Sequence, residues 1–322
     1  MDDITVLILG RPGEAQLDLL KKLDSQVLIL VAATSEEAAA LAPEADVIFC
    51  WALEREILRV ALAKASRARW IHGRSVGLDH VMSPELKSSA IPFTNGRGVF
   101  SQSLGEFALA AILYFAKDFP RMRRNQQGAR WEPFDVLEIA RQTLGIVGYG
   151  DIGRACAWRA KALGMRVLAL RRRPELSGPD PHVDRVYGWD GRLEMLAESD
   201  YVVCAAPLTA ETRGMIGDAE FSIMKPGGVI VNVGRGPVID EPAMIRALES
   251  GRIKGAGLDV TSVEPLPADS PLYKLDNVLL SPHCADHTAD WLDDSMRFFL
   301  QQLERFRQGQ PLENVVDMAR GY

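Results

Sequence analysis

Three side chains of complementary chemistry stand just beyond apolar runs in the C-terminal third of the chain. They are Arg235 in Asn232-Val233-Gly234-Arg235-Gly236, Glu264 in Thr261-Ser262-Val263-Glu264-Pro265, and His283 after Ser281-Pro282. Each preceding run reads as a short buried strand. In a doubly wound sheet, the C-terminal ends of the strands face the ligand crevice. A guanidinium flanked by glycines can grip a carboxylate through two parallel hydrogen bonds, a geometry Lys does not match. An imidazole exchanges a proton near neutral pH, and a carboxylate beside it favours its protonated form. Together they suit the reduction of a 2-keto acid, or its reverse, provided a hydride carrier binds alongside. Taken singly, each has a plain structural reading: a surface arginine, a loop acid, a packed histidine. Their placement on successive strand ends is what points to catalysis.

The carrier has its own signature. Thr143-Leu144-Gly145-Ile146-Val147 reads as a buried strand, and Gly148-Tyr149-Gly150-Asp151-Ile152-Gly153 follows as GxGxxG before a helical pattern. The first glycine permits the turn, the second admits a pyrophosphate to the backbone, and the third lets helix pack on strand. The helix N-terminus then favours the anion. A second strand, Arg166-Val167-Leu168-Ala169-Leu170, ends where an NAD enzyme carries an acid for the ribose 2′-OH; here Arg171-Arg172-Arg173 follows. An acid would repel a 2′-phosphate, whereas an arginine forks onto it. The run favours NADP(H), with NAD(H) possible; its plain alternative is a solvated charge cluster.

These residues need a scaffold of strands and crossovers. At 322 residues the chain has room for two domains, and 47% apolar with 25% charged residues is ordinary globular composition. A net charge of −6 argues against general nucleic-acid binding. No apolar run approaches the roughly 18 residues of a membrane span. The start Met1-Asp2-Asp3 lacks a basic leader, and Cys50, Cys156, Cys204 and Cys284 form no CxxC pair, so a reducing cytoplasm is expected. Residues 4–9, 27–31, 46–50, 70–72 and 91–94 read as strands, with helical spacing over 15–23 and 54–66. Gly10-Arg11-Pro12-Gly13 imitates a nucleotide loop but lacks its third glycine. A long helix from Ser101 leads to the second parallel unit, with strands at 143–147, 166–170, 185–187, 201–205, 229–233, 256–260 and 278–280. A last helix at 291–307 and the tail 312–316 are expected to return to the first unit. The predicted boundaries are 1–98 with 292–322 for a discontinuous substrate-binding domain and 99–291 for the dinucleotide-binding domain, with a ligand cleft between them.

Gly148–Gly153, Pro207-Leu208-Thr209, Asn232–Gly236, Gly257-Leu258-Asp259-Val260-Thr261-Ser262-Val263-Glu264-Pro265-Leu266-Pro267 and Ser281-Pro282-His283 run in order along the chain. In this order and context the chain resembles the D-2-hydroxyacid dehydrogenase family, nearest its glyoxylate/hydroxypyruvate reductase branch. The resemblance implies an α/β fold of two parallel-sheet domains, a doubly wound Rossmann domain inserted into a smaller flavodoxin-like one. It implies Arg235 as the substrate-binding cation, Glu264 as the partner of the histidine, and His283 as the acid in reduction and the base in oxidation. It places the substrate carboxylate on the amides of Val76 and Gly77, in Ser75-Val76-Gly77-Leu78-Asp79. For the cofactor it implies Asp259 at the nicotinamide end. Ala206, Pro207, Thr212, Val233, Gly234, Arg235, His283 and Ala285 complete the lining beside the glycine turn and the arginines. A homodimer through the long helix is implied as well.

Other readings share some of these features. A dinucleotide-sensing corepressor relative or a D-3-phosphoglycerate dehydrogenase-type enzyme would keep the same set, whereas the arginines and ordered motifs argue against a methyltransferase. Cys284-Ala285-Asp286-His287-Thr288 departs from the family's small, apolar run after the histidine, and Arg141-Gln142-Thr143 replaces its Gly-Lys-Thr. No metal site is expected, since His283, Cys284 and His287 lack a suitably spaced fourth ligand. His72 and His80 are expected to make local hydrogen bonds. Tyr149 is expected to fill space, Trp131, Trp189 and Trp291 to pack, and Arg121, Arg123, Arg124 and Arg130 to form a solvated or dimer-facing surface.

Overall fold

Short aliphatic runs build two separate parallel sheets. The computed structural model describes residues 3–52, 54–176 and 178–318. The chain divides into two compact units, residues 1–99 with 289–322, and residues 100–288.

The first unit holds β1 (Ile4–Leu9), β2 (Val27–Ala32), β3 (Val47–Cys50), β4 (Trp70–Gly73) and β5 (Phe93–Asn95). They lie in the order β2-β1-β3-β4-β5, all parallel, which is the flavodoxin-like arrangement. The central strands are buried along their whole length, so they show no polar alternation. The helix Trp291–Arg307 returns to this unit and inserts Met296, Phe299 and Leu303 against Phe49 and Trp70. Val315 then bridges to Thr94.

Two local expectations need correction here. The helical spacing over 15–23 forms a 3₁₀ helix, Ala15–Lys22, because Leu17, Leu20 and Leu23 repeat every three residues and meet the core on one eclipsed edge. The helix Ser35–Leu41 escaped the sequence reading, although Thr34 and Glu37 form a reciprocal capping box that starts it.

The second unit holds β6 (Thr143–Val147), β7 (Arg166–Leu170), β8 (Arg185–Tyr187), β9 (Tyr201–Cys204), β10 (Val229–Asn232), β11 (Gly255–Leu258) and β12 (Val278–Leu280). Their order is β12-β11-β10-β9-β6-β7-β8, a doubly wound sheet that reverses direction between β6 and β9. The helix Ser101–Ala116 is apolar nearly all round because it is covered on two sides. A side chain at Gly105 would come within 3.1 Å of Ala155 on the neighbouring helix Asp151–Ala162, and ones at Gly255 and Gly257 would meet Phe115 and Ala111 at 2.4 and 2.8 Å. Small residues on both partners therefore set the closeness of this packing.

Trp131 does not pack. It is 99% exposed, in a stretch without regular structure between residues 130 and 139, where Arg130, Glu132 and Pro133 leave no apolar face to bury it. Trp189 is also partly exposed and carries the Arg192 guanidinium 5.0 Å over its ring. Trp291 faces Arg74, whose guanidinium lies 5.3 Å from its ring centroid and 4.9 Å from that of Trp51.

Candidate active site

The glycine turn sits at the switch point of the second sheet. Gly148 has φ +94°, and a side chain there would strike the Ala206 backbone at 2.6 Å, so the turn is pressed onto the loop leaving β9. At Gly153 a side chain would meet the Gly148 carbonyl at 2.5 Å, whereas at Gly150 nothing lies within 4 Å. This leaves open space at the N-terminus of the helix Asp151–Ala162, where backbone N–H groups and the helix dipole favour a phosphate. The cradle therefore fits a dinucleotide pyrophosphate.

Around this turn the structure gathers several of the residues named above. Arg171 follows β7, its N–H donating to the Tyr187 carbonyl at 2.9 Å, and lies within electrostatic reach of Tyr149. Arg172 is placed similarly toward Glu211, in the loop after β9. Arg173 joins neither group among the described residues. Tyr149 does more than fill space: its hydroxyl donates to Asp180 at 2.7 Å, and Arg154 both pairs with Asp180 and covers the Tyr149 ring at 4.8 Å. Burial, and then the Asp180 carboxylate, push the phenol well above its ordinary range. Thr212 is committed to its own loop. Its hydroxyl donates to the Pro207 carbonyl at 2.6 Å and accepts from the Thr209 N–H at 2.8 Å.

The three chemical residues leave adjacent strands. Asn232 of β10 pairs with Leu258 of β11, which pairs with Leu280 of β12, so the loops carrying Arg235, Glu264 and His283 start side by side. His283 Nδ1 and Glu264 Oε2 are 2.6 Å apart. The other carboxylate oxygen, Oε1, accepts the Thr261 N–H at 3.0 Å, so both ends of the acid are used. With Glu264 ionised, Nδ1 carries the proton of this pair and Nε2 is the nitrogen left outside it. Arg235 stands between buried glycines, and a side chain at Gly236 would meet the Thr261 carbonyl at 1.9 Å. Asn232 orders this loop from within, donating to the Arg235 carbonyl at 3.0 Å and accepting the Gly234 N–H at 3.1 Å.

Asp259, expected at the nicotinamide end, also ties together the loop around His283. Its Oδ1 accepts from the Ser281 hydroxyl at 2.7 Å and from the N–H groups of Cys284 and Ala285 at 3.0 Å each. Its carbonyl accepts the His283 N–H at 2.9 Å. Ser103 adds a further tie, donating to the Ala285 carbonyl at 2.5 Å. The signal available in the sequence was a buried-strand acid followed, one strand later, by Ser281 at the equivalent end. In the other unit, the two carbonyls of the Ser75–Leu78 loop are fixed by side chains. Asn95 donates to Val76 O and Ser75 to Gly77 O, both at 2.8 Å.

Residues 109–285 match the family model described as "D-isomer specific 2-hydroxyacid dehydrogenase, NAD binding domain". The chain belongs to this family. It is 36% identical to the glyoxylate reductase of Thermococcus gammatolerans over 79% of this chain and 77% of the relative. Its fold is similar to that of a D-isomer specific 2-hydroxyacid dehydrogenase from Xanthobacter autotrophicus, solved with NADPH and MES. That match has 28% identity and a TM-score of 0.85, covering both chains completely. It is also similar to an NADPH-dependent glyoxylate/hydroxypyruvate reductase from Sinorhizobium meliloti, solved with NADP and sulfate. The identity is 25% and the TM-score 0.86, covering 99% of this chain and 100% of the other.

As a 2-hydroxyacid dehydrogenase, the chain is an oxidoreductase that uses a nicotinamide dinucleotide and acts on small keto or hydroxy acids. Among the described residues, no helix of this dehydrogenase is long and apolar enough to cross a membrane.

Proposed function

We propose that this dehydrogenase reduces glyoxylate or hydroxypyruvate with NADPH and runs in reverse on the corresponding 2-hydroxy acid, the D-isomer where that acid is chiral. The observation that carries the reading is the 2.6 Å contact between His283 Nδ1 and Glu264, on a strand-end loop next to the one that bears Arg235. The cofactor, when bound, supplies the hydride. His283 Nε2 delivers the proton to the carbonyl oxygen, and Glu264 holds the ring in the tautomer that permits this. Arg235 takes the substrate carboxylate and draws charge from the carbonyl. The Val76 and Gly77 amides are proposed to bind the carboxylate as well.

The preference for NADPH is supported by Arg171 within electrostatic reach of Tyr149 in the turn, by Arg172 toward Glu211, and by the lack of an acid at the end of β7. The relatives named as glyoxylate reductases support the substrate. Exposed Phe119, Met122, Trp131, Val136 and Leu137, all after the long helix, support a homodimer, because a monomer seldom leaves so much apolar surface in one stretch. Four free cysteines fit a reducing cytoplasm.

A panel of keto acids assayed with NADPH and NADH tests the reading. Glyoxylate or hydroxypyruvate should turn over with NADPH about ten- to a hundredfold more efficiently than with NADH, the worth of a charged contact or two to the 2′-phosphate. His283→Ala should lower kcat by ~10²–10⁴-fold while leaving NADPH binding in place. Near-normal turnover by that variant ends the proton-donor assignment. Tight NADPH binding with no turnover of any keto acid would favour the corepressor-like alternative.

A further inference from the structure

Asp286 stands in the turn that follows His283, and its chemistry is unused by the reading above. One of its carboxylate oxygens, Oδ1, is buried with no hydrogen-bond partner among the described residues. The nearest ring nitrogen, His287 Nε2, is 3.7 Å away, too far for a hydrogen bond. Three backbone donors of this turn are taken, the Cys284 and Ala285 N–H groups by Asp259 and the His287 N–H by the Cys284 carbonyl, and Asp286's own N–H lies against its carboxyl without completing Oδ1. A buried acceptor without a donor is costly, and such atoms are completed by water, an ion or a ligand.

We propose that Asp286 is a further cofactor-recognition residue, whose Oδ1 accepts a hydrogen bond from the carboxamide NH2 of the bound nicotinamide. The inference rests on the dinucleotide reading and extends it to a position where the sequence departs from its family. The chemistry of the two ligands separates the candidates. Glyoxylate carries a carboxylate and a carbonyl, both acceptors, so a second carboxylate has nothing to receive from it and repels its charge. The carboxamide carries N–H donors at the reactive end of the cofactor.

The surroundings agree with an acceptor waiting for a donor. The charged or titratable groups that act on Asp286 are His287, Asp259 and His283. Burial, foremost, and Asp259 raise its carboxyl above the ordinary range, while the two imidazoles oppose this. A donor that favours the ionised form therefore makes cofactor binding release a proton, and binding strengthens as pH rises through the titration of the free carboxyl.

The test is a binding measurement, independent of turnover. Dissociation constants for NADP⁺ and its 3-acetylpyridine analogue, in which a methyl replaces the NH2, are compared by calorimetry for the native protein, Asp286→Ser and Asp286→Leu. The native protein should prefer NADP⁺, and Asp286→Ser should cut that preference by about tenfold or more. Binding of the analogue, which lacks the donor, reports whether the variant still folds; the similarly sized Asp286→Leu, which has no acceptor, provides the same comparison if the serine variant is unstable. An unchanged preference in both variants overturns the assignment. So does a rise in KM confined to hydroxypyruvate, which would assign the oxygen to a substrate hydroxyl. Failure of the native protein to bind NADP⁺ at all would instead defeat the dinucleotide reading itself.

Discussion

His283 has φ +52°, a left-handed backbone that a residue with a side chain adopts at a cost of about 1–3 kcal/mol. Such a conformation persists only when its surroundings fix it, and Asp259 does so: it holds Ser281 before the histidine and the two N–H groups after it, and takes the histidine's own N–H on its carbonyl. The ring is therefore aimed by the backbone, and Glu264 has only to fix its tautomer. Replacing that carboxylate tests the division of labour. Glu264→Gln should lower kcat by ~10²-fold with little change in the melting temperature, because the amide can still accept the Thr261 N–H. Steady-state kinetics beside a thermal melt would check both halves, and a large loss of stability would mean that Glu264 serves the loop before it serves the ring.

Among the elements, close backbone approach governs how the loops after β10 and β11 meet. Gly236 admits no side chain, since the Thr261 carbonyl would lie 1.9 Å from a Cβ, and backbone cannot swing aside as a long side chain can. Gly236→Ala should destabilise the fold by about 1–3 kcal/mol, the usual range for overpacking. It should also weaken catalysis, because the shifted loop carries Arg235. A lowered melting temperature together with a raised KM for the keto acid is the expected pair of results; unchanged values for both would show that the loops are free to part. The same logic at Gly148 and Gly153 presses the phosphate turn onto its strand and helix, and there the spacing of glycines announced it in advance. At Gly236 the sequence showed a glycine beside an arginine and nothing of what it had to avoid.

For the whole molecule, Trp131 is the most exposed large apolar side chain among the described residues. As the anchor of the proposed homodimer it should behave as a hot spot worth at least ~2 kcal/mol, so that Trp131→Ser weakens self-association roughly thirtyfold or more. Light scattering across a dilution series measures this, and an unaltered association, or a native protein that is monomeric throughout, removes Trp131 from that role.

The sequence by itself determined what local patterns can specify. Aliphatic runs fixed the strands, the glycine spacing fixed the phosphate turn, and the order of the motifs fixed the family. Tertiary structure alone decided what depends on residues distant in the chain. Asp259 holding the turn after Ser281, the meeting of His283 with Glu264, and the press of Gly236 against Thr261 all arise from strand neighbours. The physical reason is that periodicity and turn chemistry act over a few residues, while hydrogen-bond satisfaction and burial are settled by whatever the sheet order brings alongside.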